Sequence, residues 1–281
     1  MVTAQLLSPA KINLMLRIVG RRDDGFHLLQ TCFQLLNWGD QMTFDCQQQA
    51  GNGKITVQGM PQVAAANNLI SLAADALRPL AQVPSDWVVS VDKRIPMGGG
   101  LGGGSSNAAT TLKFLNQHWR CGLSPPALLS LAAQLGADVP IFVSGQSALA
   151  TGIGEVITPR SFDTPHVLLL MPDCQINTAA LFGHADLTRD QVPLPEAWLQ
   201  DSAFWINDFF PLVLQLQPAV KRLYEALKDH MPVRLSGTGS TLFAVFADAA
   251  DAAKASQLAS AHCRAILVRP LAGMTNTDSF A

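Results

Sequence analysis

Ile95 to Ala109 reads Ile-Pro-Met-Gly-Gly-Gly-Leu-Gly-Gly-Gly-Ser-Ser-Asn-Ala-Ala, with six glycines in the seven positions Gly98 to Gly104. Glycine lacks a Cβ, so such a backbone can turn left-handed and come close to a ligand. Ser105, Ser106 and Asn107 offer N-cap side chains where a helical pattern begins. A glycine loop feeding a helix N-terminus presents unpaired N–H groups and the positive end of a dipole, which suits phosphate. The β-branched and aromatic run Trp87 to Val91 before it reads as a strand, which argues against a flexible linker.

Gly98, Gly100 and Gly103 satisfy G-x-G-x-x-G, but a dinucleotide fold needs an acid about 20 residues on. That region is helix followed by His118-Trp119-Arg120-Cys121-Gly122. A P-loop fails because Gly53-Lys54 is followed by Ile55, and the H-R-D and D-F-G triplets of protein kinases do not occur. The loop belongs to another phosphate-binding class.

Three further sites could carry chemistry. Lys11 and Asn13 share one face of an alternating strand, Lys11 to Val19, opposite Ile12, Leu14, Leu16 and Ile18. The ordinary expectation for that face is solvent. Phe26-His27 follows the charged turn Arg21 to Gly25, as a core anchor and a loop histidine. Asp138 stands among Ala137, Val139 and Pro140, at the predicted junction of a helix with a strand Ile141 to Val143. A carboxylate in apolar surroundings must be satisfied or serve a purpose.

The elements that position these groups follow from periodicity and punctuation. Thr31 to Leu36 and Gln41 to Cys46 read as strands separated by an Asn37-Trp38-Gly39-Asp40 turn, and Lys54 to Val57 as another. Asn67-Asn68 caps a helix to about Leu80. After the glycine loop, Ala108, Leu112, Leu115 and Trp119 mark a buried stripe, with Gly122 ending the helix. Ser124-Pro125 opens a third helix that stops at Gly136. Gly152-Ile153-Gly154 is a hairpin turn between Ala148 to Thr151 and Glu155 to Ile157. His166 to Met171 is an apolar strand, Asn177-Thr178 caps a short helix, and Asp186 to Pro195 reads as a surface excursion. Helices are predicted at Asp208 to Leu216, Pro218 to His230 and Asp248 to Ser260. A glycine and hydroxyl turn, Leu235 to Thr241, enters the strand Leu242 to Phe246, and Ala265 to Arg269 closes the chain. A shift to loop residues at Thr158 to Pro165 sets a boundary near residue 160, giving two α+β domains.

The 281 residues are 48% hydrophobic and 14% charged, which is ample for globular cores. A net charge of −2 with no basic run gives no case for nucleic acid. No apolar run reaches membrane-span length, and the N-terminus lacks the basic and apolar regions of a signal peptide. The five cysteines are unpatterned, as expected of free thiols in a reducing cytoplasm, and no cluster suggests a structural metal.

Ser8-Pro9-Ala10-Lys11-Ile12-Asn13-Leu14, Pro96 to Ala109 and Leu235 to Phe246 resemble, in order and spacing, the three motifs of the GHMP kinases. The similarity covers essentially the whole chain. It implies a two-domain α+β GHMP-kinase-like fold. Residues 1–160 would form an ATP-binding domain like the second domain of ribosomal protein S5, and residues 161–281 a ferredoxin-like α/β sandwich. The P-A-K-I-N-L start, the D-G-F-H turn and G-A-D-V-P are most similar to family members that phosphorylate the 2-hydroxyl of a CDP-linked methylerythritol in non-mevalonate isoprenoid synthesis.

The resemblance implies Lys11 and Asp138 as the catalytic pair, with Asp138 as general base and Lys11 keeping it ionised near the transferring phosphoryl group. It implies that Pro96, Met97, Gly98, Gly99, Gly100, Leu101, Gly102, Gly103, Gly104, Ser105 and Ser106 wrap the ATP phosphates, with Asn68 and Lys93 near adenine. Mg2+ would bridge the β- and γ-phosphates, largely through phosphate oxygens and water. Asn13, His27 and Thr178 would contact the substrate, and Phe26 and Phe182 would sandwich its cytosine. Relatives commonly carry tyrosine where this chain has Phe26, which keeps the stacking surface and removes the hydroxyl. Thr238 and the Gly237/Gly239 turn would support the wall of the site. The resemblance implies a cytoplasmic monomer or weak homodimer that binds ATP and a small molecule, without nucleic acid or membrane. The alternatives are a homoserine- or mevalonate-type kinase, for which the aromatic pair beside His27 has no use, and a noncatalytic nucleotide-binding relative, against which Lys11 and Asp138 stand together.

Overall fold

The computed structural model describes residues 2–271. In chain order the elements are β1 (Thr3–Arg21), β2 (His27–Gln48), β3 (Ile55–Gln58), α1 (Leu69–Leu77), β4 (Asp86–Asp92), α2 (Gly103–His118), α3 (Pro125–Leu135), α4 (Val139–Ser144), β5 (Ala148–Thr151), β6 (Val156–Pro159), β7 (His166–Met171), α5 (Thr178–Phe182), α6 (Phe210–Leu216), α7 (Pro218–Leu227), β8 (Arg234–Leu235), β9 (Leu242–Phe246), α8 (Ala249–Ala259) and β10 (Arg264–Val268). They form two compact units interleaved along the sequence. The first takes the chain up to Ala10, Trp38–Pro96 and Gly102–Gly145. The second takes Lys11–Asn37, Met97–Leu101 and the chain from Gln146 onward.

In the first unit the end of β2 pairs antiparallel with β4, from Gln41 opposite Asp92 to Cys46 opposite Trp87. β3 runs parallel to β4 on its other side. The helices supply the core. Ala108, Leu112, Leu115 and Trp119 of the α2 stripe are fully buried, as their spacing predicts. The Phe114 ring stacks on Phe44 of β2 at 4.0 Å and meets Trp87 of β4 edge-on at 4.9 Å. Aromatic pairs in these arrangements add about 0.5–1.5 kcal/mol beyond the area they bury.

In the second unit a four-stranded antiparallel sheet has the order β10-β7-β9-β8. The apolar run of β7 is buried from Val167 to Leu170. Leu168 and Leu170 pack in one cluster with Leu16 and Ile18 of β1, Phe209, Leu212 and Val213 near α6, and Ala255 and Ala259 of α8. The start of β2 pairs with β5, and β5 with β6, in the expected hairpin. Asn177 and Asp248 cap α5 and α8 with their side chains.

Several expectations are corrected. Thr31 to Leu36 and Gln41 to Cys46 are one strand, because Asn37-Trp38-Gly39-Asp40 makes no turn. Gly39 lies so near Ser8 that a Cβ there would stand 2.0 Å from the Ser8 carbonyl oxygen. Asp40, fully buried, accepts from the Arg94 and Ile95 backbone N–H groups at 2.8 Å and from Lys93 Nζ at 2.7 Å. The polar quartet thus serves long-range contacts, where turn chemistry predicts a local one. The Ile141 to Val143 run is helical, within α4. An apolar run this short carries no usable period, and Pro140 in the first turn, with no N–H to leave unpaired and a fixed φ, favours a helix start. The face of β1 carrying Lys11, Asn13 and Met15 is buried like its opposite face. The 206–208 segment covers the strand's edge, through Leu16 N to Ile206 O at 2.9 Å and Asp208 N to Leu16 O at 3.0 Å.

Candidate active site

The second unit gathers the three motif segments through backbone and hydroxyl bonds. Lys11 N donates to Leu101 O at 3.0 Å, and Thr241 N to Gly99 O at 3.2 Å. Ser236 Oγ donates to Gly100 O at 3.0 Å and accepts from Asn13 N at 3.3 Å. The Met97–Leu101 half of the glycine loop is therefore stitched on one side to β1 and on the other to the 236–241 turn. The approach is close at Gly100, where φ is +73° and an added Cβ would lie 2.2 Å from the Ser236 carbonyl oxygen. No residue with a side chain fits there.

Lys11 and Asn13 are 3% and 2% exposed. Lys11 Nζ donates to Asn13 Oδ1 at 2.6 Å and lies 5.3 Å from the Phe33 ring centroid. Asn13 Nδ2 donates to Thr31 Oγ1 at 2.8 Å, and Thr31 Oγ1 donates to Met15 O at 2.6 Å. The chain of bonds fixes the Asn13 amide with its oxygen toward Lys11 Nζ.

The same unit brings an imidazole and two phenyl rings together. His27, at the start of β2, is buried, and its ring lies 4.9 Å from that of Phe182 at the end of α5. Phe182 is braced edge-on by Phe209 at 4.8 Å. Phe26 is 57% exposed and is not the core anchor expected of it. Thr178 and Thr238 hydroxyls bond at 2.8 Å, joining α5 to the 236–241 turn.

Sequence reasoning missed Arg189. It stands in the Asp186 to Pro195 stretch, expected to be a surface excursion, yet Leu187 there is buried and Arg189 Nε donates to His27 Nε2 at 2.9 Å. Burial first, and then the charges of Arg189 and Arg21, hold the His27 pKa below its ordinary value, so the ring is neutral near pH 7.

In the first unit α2 begins at Gly103, with Gly102 at the N-cap in a left-handed conformation, φ +73°. Ser105, Ser106 and Asn107 are thus inside the helix and do not cap it. Ser106 Oγ accepts from Ser8 Oγ at 2.8 Å, and Asn107 Nδ2 reaches Ser8 Oγ at 2.8 Å and Asp40 Oδ2 at 3.0 Å. The first-turn N–H groups have no intrahelical acceptors, and Gly104 is exposed among them, leaving that end able to receive an anion. Asn68 is spent as the cap of α1, its Oδ1 accepting from Ile70 N at 3.0 Å. Lys93 Nζ bonds Asp40 Oδ2 and Ile95 O, both at 2.7 Å. Asp138, half-buried, is the N-cap residue of α4. Among the described residues no three His, Cys, Asp or Glu side chains form a metal cluster.

Residues 68–146 match the GHMP kinases N terminal domain, and residues 194–265 the GHMP kinases C terminal domain. A protein of Acinetobacter baumannii named 4-diphosphocytidyl-2-C-methyl-D-erythritol kinase is 43% identical over 265 residues, 94% of each chain. A protein of the same name from Xanthomonas axonopodis pv. citri is 43% identical over 248 residues, 88% of this chain and 84% of its own. The crystal structure of a 4-(cytidine 5'-diphospho)-2C-methyl-D-erythritol kinase superposes with a TM-score of 0.82 at 27% identity, covering 96% of this chain and all of the other.

Proposed function

This chain belongs to the GHMP kinases, and on that premise we propose that it transfers the γ-phosphoryl group of ATP to the 2-hydroxyl of 4-diphosphocytidyl-2-C-methyl-D-erythritol. The fold is the two-domain α+β architecture of the family, and the chain is an ATP-dependent small-molecule kinase. The observation that carries the substrate is the buried His27 held against Phe182. A kinase for a small alcohol without a base has no use for an aromatic plate beside a fixed imidazole. Relatives of the cytidine-linked type at 43% identity support the same reading.

Phosphoryl transfer is catalysed by positioning and by compensating charge. The acceptor hydroxyl gives its proton to Asp138 as its oxygen bonds to the γ-phosphorus and the bond to the ADP oxygen breaks. Lys11, oriented by Asn13, balances the charge on the equatorial oxygens. Residues from Pro96 to Ser106 wrap the phosphates with backbone N–H groups, while Asn68 and Lys93 line the adenine side. The bonds that occupy Asn68 and Lys93 make them supports of that wall more than direct ligands. Phe182 and Phe26 stack on cytosine; Asn13, His27 and Thr178 supply polar contacts. The donor set of the loop is N–H and suits phosphate; Mg2+ would be held chiefly by phosphate oxygens and water, and would neutralise charge on the transferring group.

We take residues 1–160 as the ATP-binding domain and 161–281 as the C-terminal domain; the N-terminal family match, 68–146, falls inside the first range and the C-terminal match, 194–265, inside the second. The free cysteines support the cytoplasm as its place; we take the protein to be a monomer or weak homodimer. None of the described helices is long and apolar enough to cross a membrane. ATP consumption measured with the CDP-linked methylerythritol, mevalonate, homoserine and galactose tests the assignment. Turnover is expected with the first alone; turnover with only one of the other three refutes it.

A further inference from the structure

The guanidinium of Arg189 spends four of its five N–H donors on the backbone from Phe182 to Leu187 and on one side chain, His27. Nε donates to His27 Nε2 at 2.9 Å, Nη1 to Leu187 O at 3.1 Å, and Nη2 to Phe182 O at 2.7 Å and His184 O at 3.1 Å. A guanidinium has donors only and keeps its charge throughout the working pH range. His27 Nε2 must therefore offer its lone pair, and the ring proton resides on Nδ1. Nδ1 makes no hydrogen bond to any described residue, which leaves it for a ligand. The same guanidinium fixes the backbone of Phe182, whose ring lies 4.9 Å from that of His27. One side chain thus sets both the tautomer of the imidazole and its place against the aromatic plate.

We propose that Arg189 is a positioning residue that determines the base preference of the site by holding His27 as the neutral Nδ1–H tautomer. The inference rests on the cytidine reading given above and goes further, to the origin of the base choice. At its N3 edge cytosine carries a lone pair, whereas uracil carries an N–H. A fixed Nδ1–H donor pairs with the first and confronts the second with two donors. The opposite tautomer would present a lone pair at Nδ1 and reverse the preference. An unconstrained histidine samples both, so stacking on Phe182 alone would accept either pyrimidine.

Two measurements on the full chain decide the matter. A long-range 1H–15N spectrum of the histidine-labelled protein reads directly which nitrogen of His27 carries the proton. Calorimetric titration with cytidine diphosphate and uridine diphosphate reads the preference in the wild type, Arg189→Met and Arg189→Lys. The wild type is expected to be protonated at Nδ1 and to prefer the cytidine ligand. Arg189→Met should lose that preference by roughly tenfold to a hundredfold, since the cost is one mispaired buried polar group. Arg189→Lys, still a donor-only cation, should recover part of it. A wild-type His27 protonated at Nε2 overturns the proposal even if the methionine variant fails to fold. Retention of both tautomer and preference in Arg189→Met overturns the proposal while leaving the cytidine reading intact. A wild type that binds the two diphosphates equally refutes that reading, and the proposal with it.

Discussion

Gly100 and Gly122 have nearly the same backbone, with φ of +73° and +72°, in very different surroundings. A Cβ at Gly122 would meet nothing within 4 Å, whereas at Gly100 it would lie 2.2 Å from Ser236 O, 3.0 Å from Gly239 O and 3.1 Å from Gly239 N. Alanine at either position carries the left-handed strain of an L-residue, about 1–2 kcal/mol. At Gly122 that is the whole effect. At Gly100 the obstacle is backbone, which cannot rotate away, so either the loop or the 236–241 turn must move. Overpacking of this kind adds about 1–3 kcal/mol, for a total of about 2–5 kcal/mol. The Ser236 bond to Gly100 O, at 3.0 Å, would be lost as well. Because displacements near 1 Å in a positioning element can cost about a hundredfold in rate, Gly100→Ala should also impair the use of ATP, with kcat/KM for ATP falling roughly tenfold to a hundredfold. Gly122→Ala should leave kcat/KM for ATP unchanged. Urea titrations of both variants with steady-state kinetics at varied ATP make the comparison. If Gly100→Ala is no less stable than Gly122→Ala and uses ATP as well as the wild type, the loop does not approach the turn as described.

Other expectations follow from single residues. Asp138→Asn keeps the volume and removes the proposed base; turnover should fall by about a hundredfold or more while ATP affinity, read by equilibrium titration, stays close to the wild type. Near-normal turnover would remove Asp138 from the mechanism. Lys113 Nζ donates to Phe142 O at 3.1 Å, and burial lowers its pKa to about 8 from the ordinary 10.5. Between those values the unfolded chain holds a proton that the folded chain lacks, so stability should rise from pH 8 toward 10.5; below pH 8 the penalty is present in full. Lys113→Met is expected to raise stability at pH 7 by about 1–3 kcal/mol, after allowing for the carbonyl left without its donor, and to flatten that rise. An unchanged slope in urea titrations across pH 7.5–10.5 would count against it.

Local chemistry made much of the scaffold legible. Asn68, Asn177 and Asp248 cap the helices they precede, since a cap is a bond between residues two or three apart. The α2 stripe buries as its period requires. What stayed hidden is governed by partners far away in sequence. Asp40 reads as a turn residue because its donors are more than fifty positions later, at Lys93 to Ile95. The buried face of Lys11 and Asn13 looks like an ordinary solvated one until the 206–208 segment and the 236–241 turn are placed beside it. Ser105 to Asn107 have the composition of a cap, but Gly102 takes that position, and the side chains of Ser106 and Asn107 bond Ser8 and Asp40 instead. Arg189 gave no local signal at all; an arginine in a proline-containing loop is ordinary until the 162-residue separation from His27 is closed. The motif resemblance singled out the glycine loop, Lys11, Asn13, His27 and Phe182; the structure bonds Lys11 to the loop and to Asn13, and sets the His27 ring against Phe182.

The interleaving of the two units bears on how the chain is made. Asn13 N and Ser236 Oγ meet across 223 residues of sequence. At ribosomal elongation rates of about 5–20 residues per second, the first strand waits roughly 10–45 s before its partner is synthesised. The first unit has all its segments once Gly145 has emerged, whereas the second still needs most of its sheet. Lys11 to Asn37 therefore leaves the ribosome early as an apolar hairpin and completes its hydrogen bonding last. For that interval it depends on chaperones or on its own β1–β2 pairing, and contacts of such long range fold slowly. The strand that carries Lys11 is thus exposed to aggregation for a long interval during synthesis of the chain.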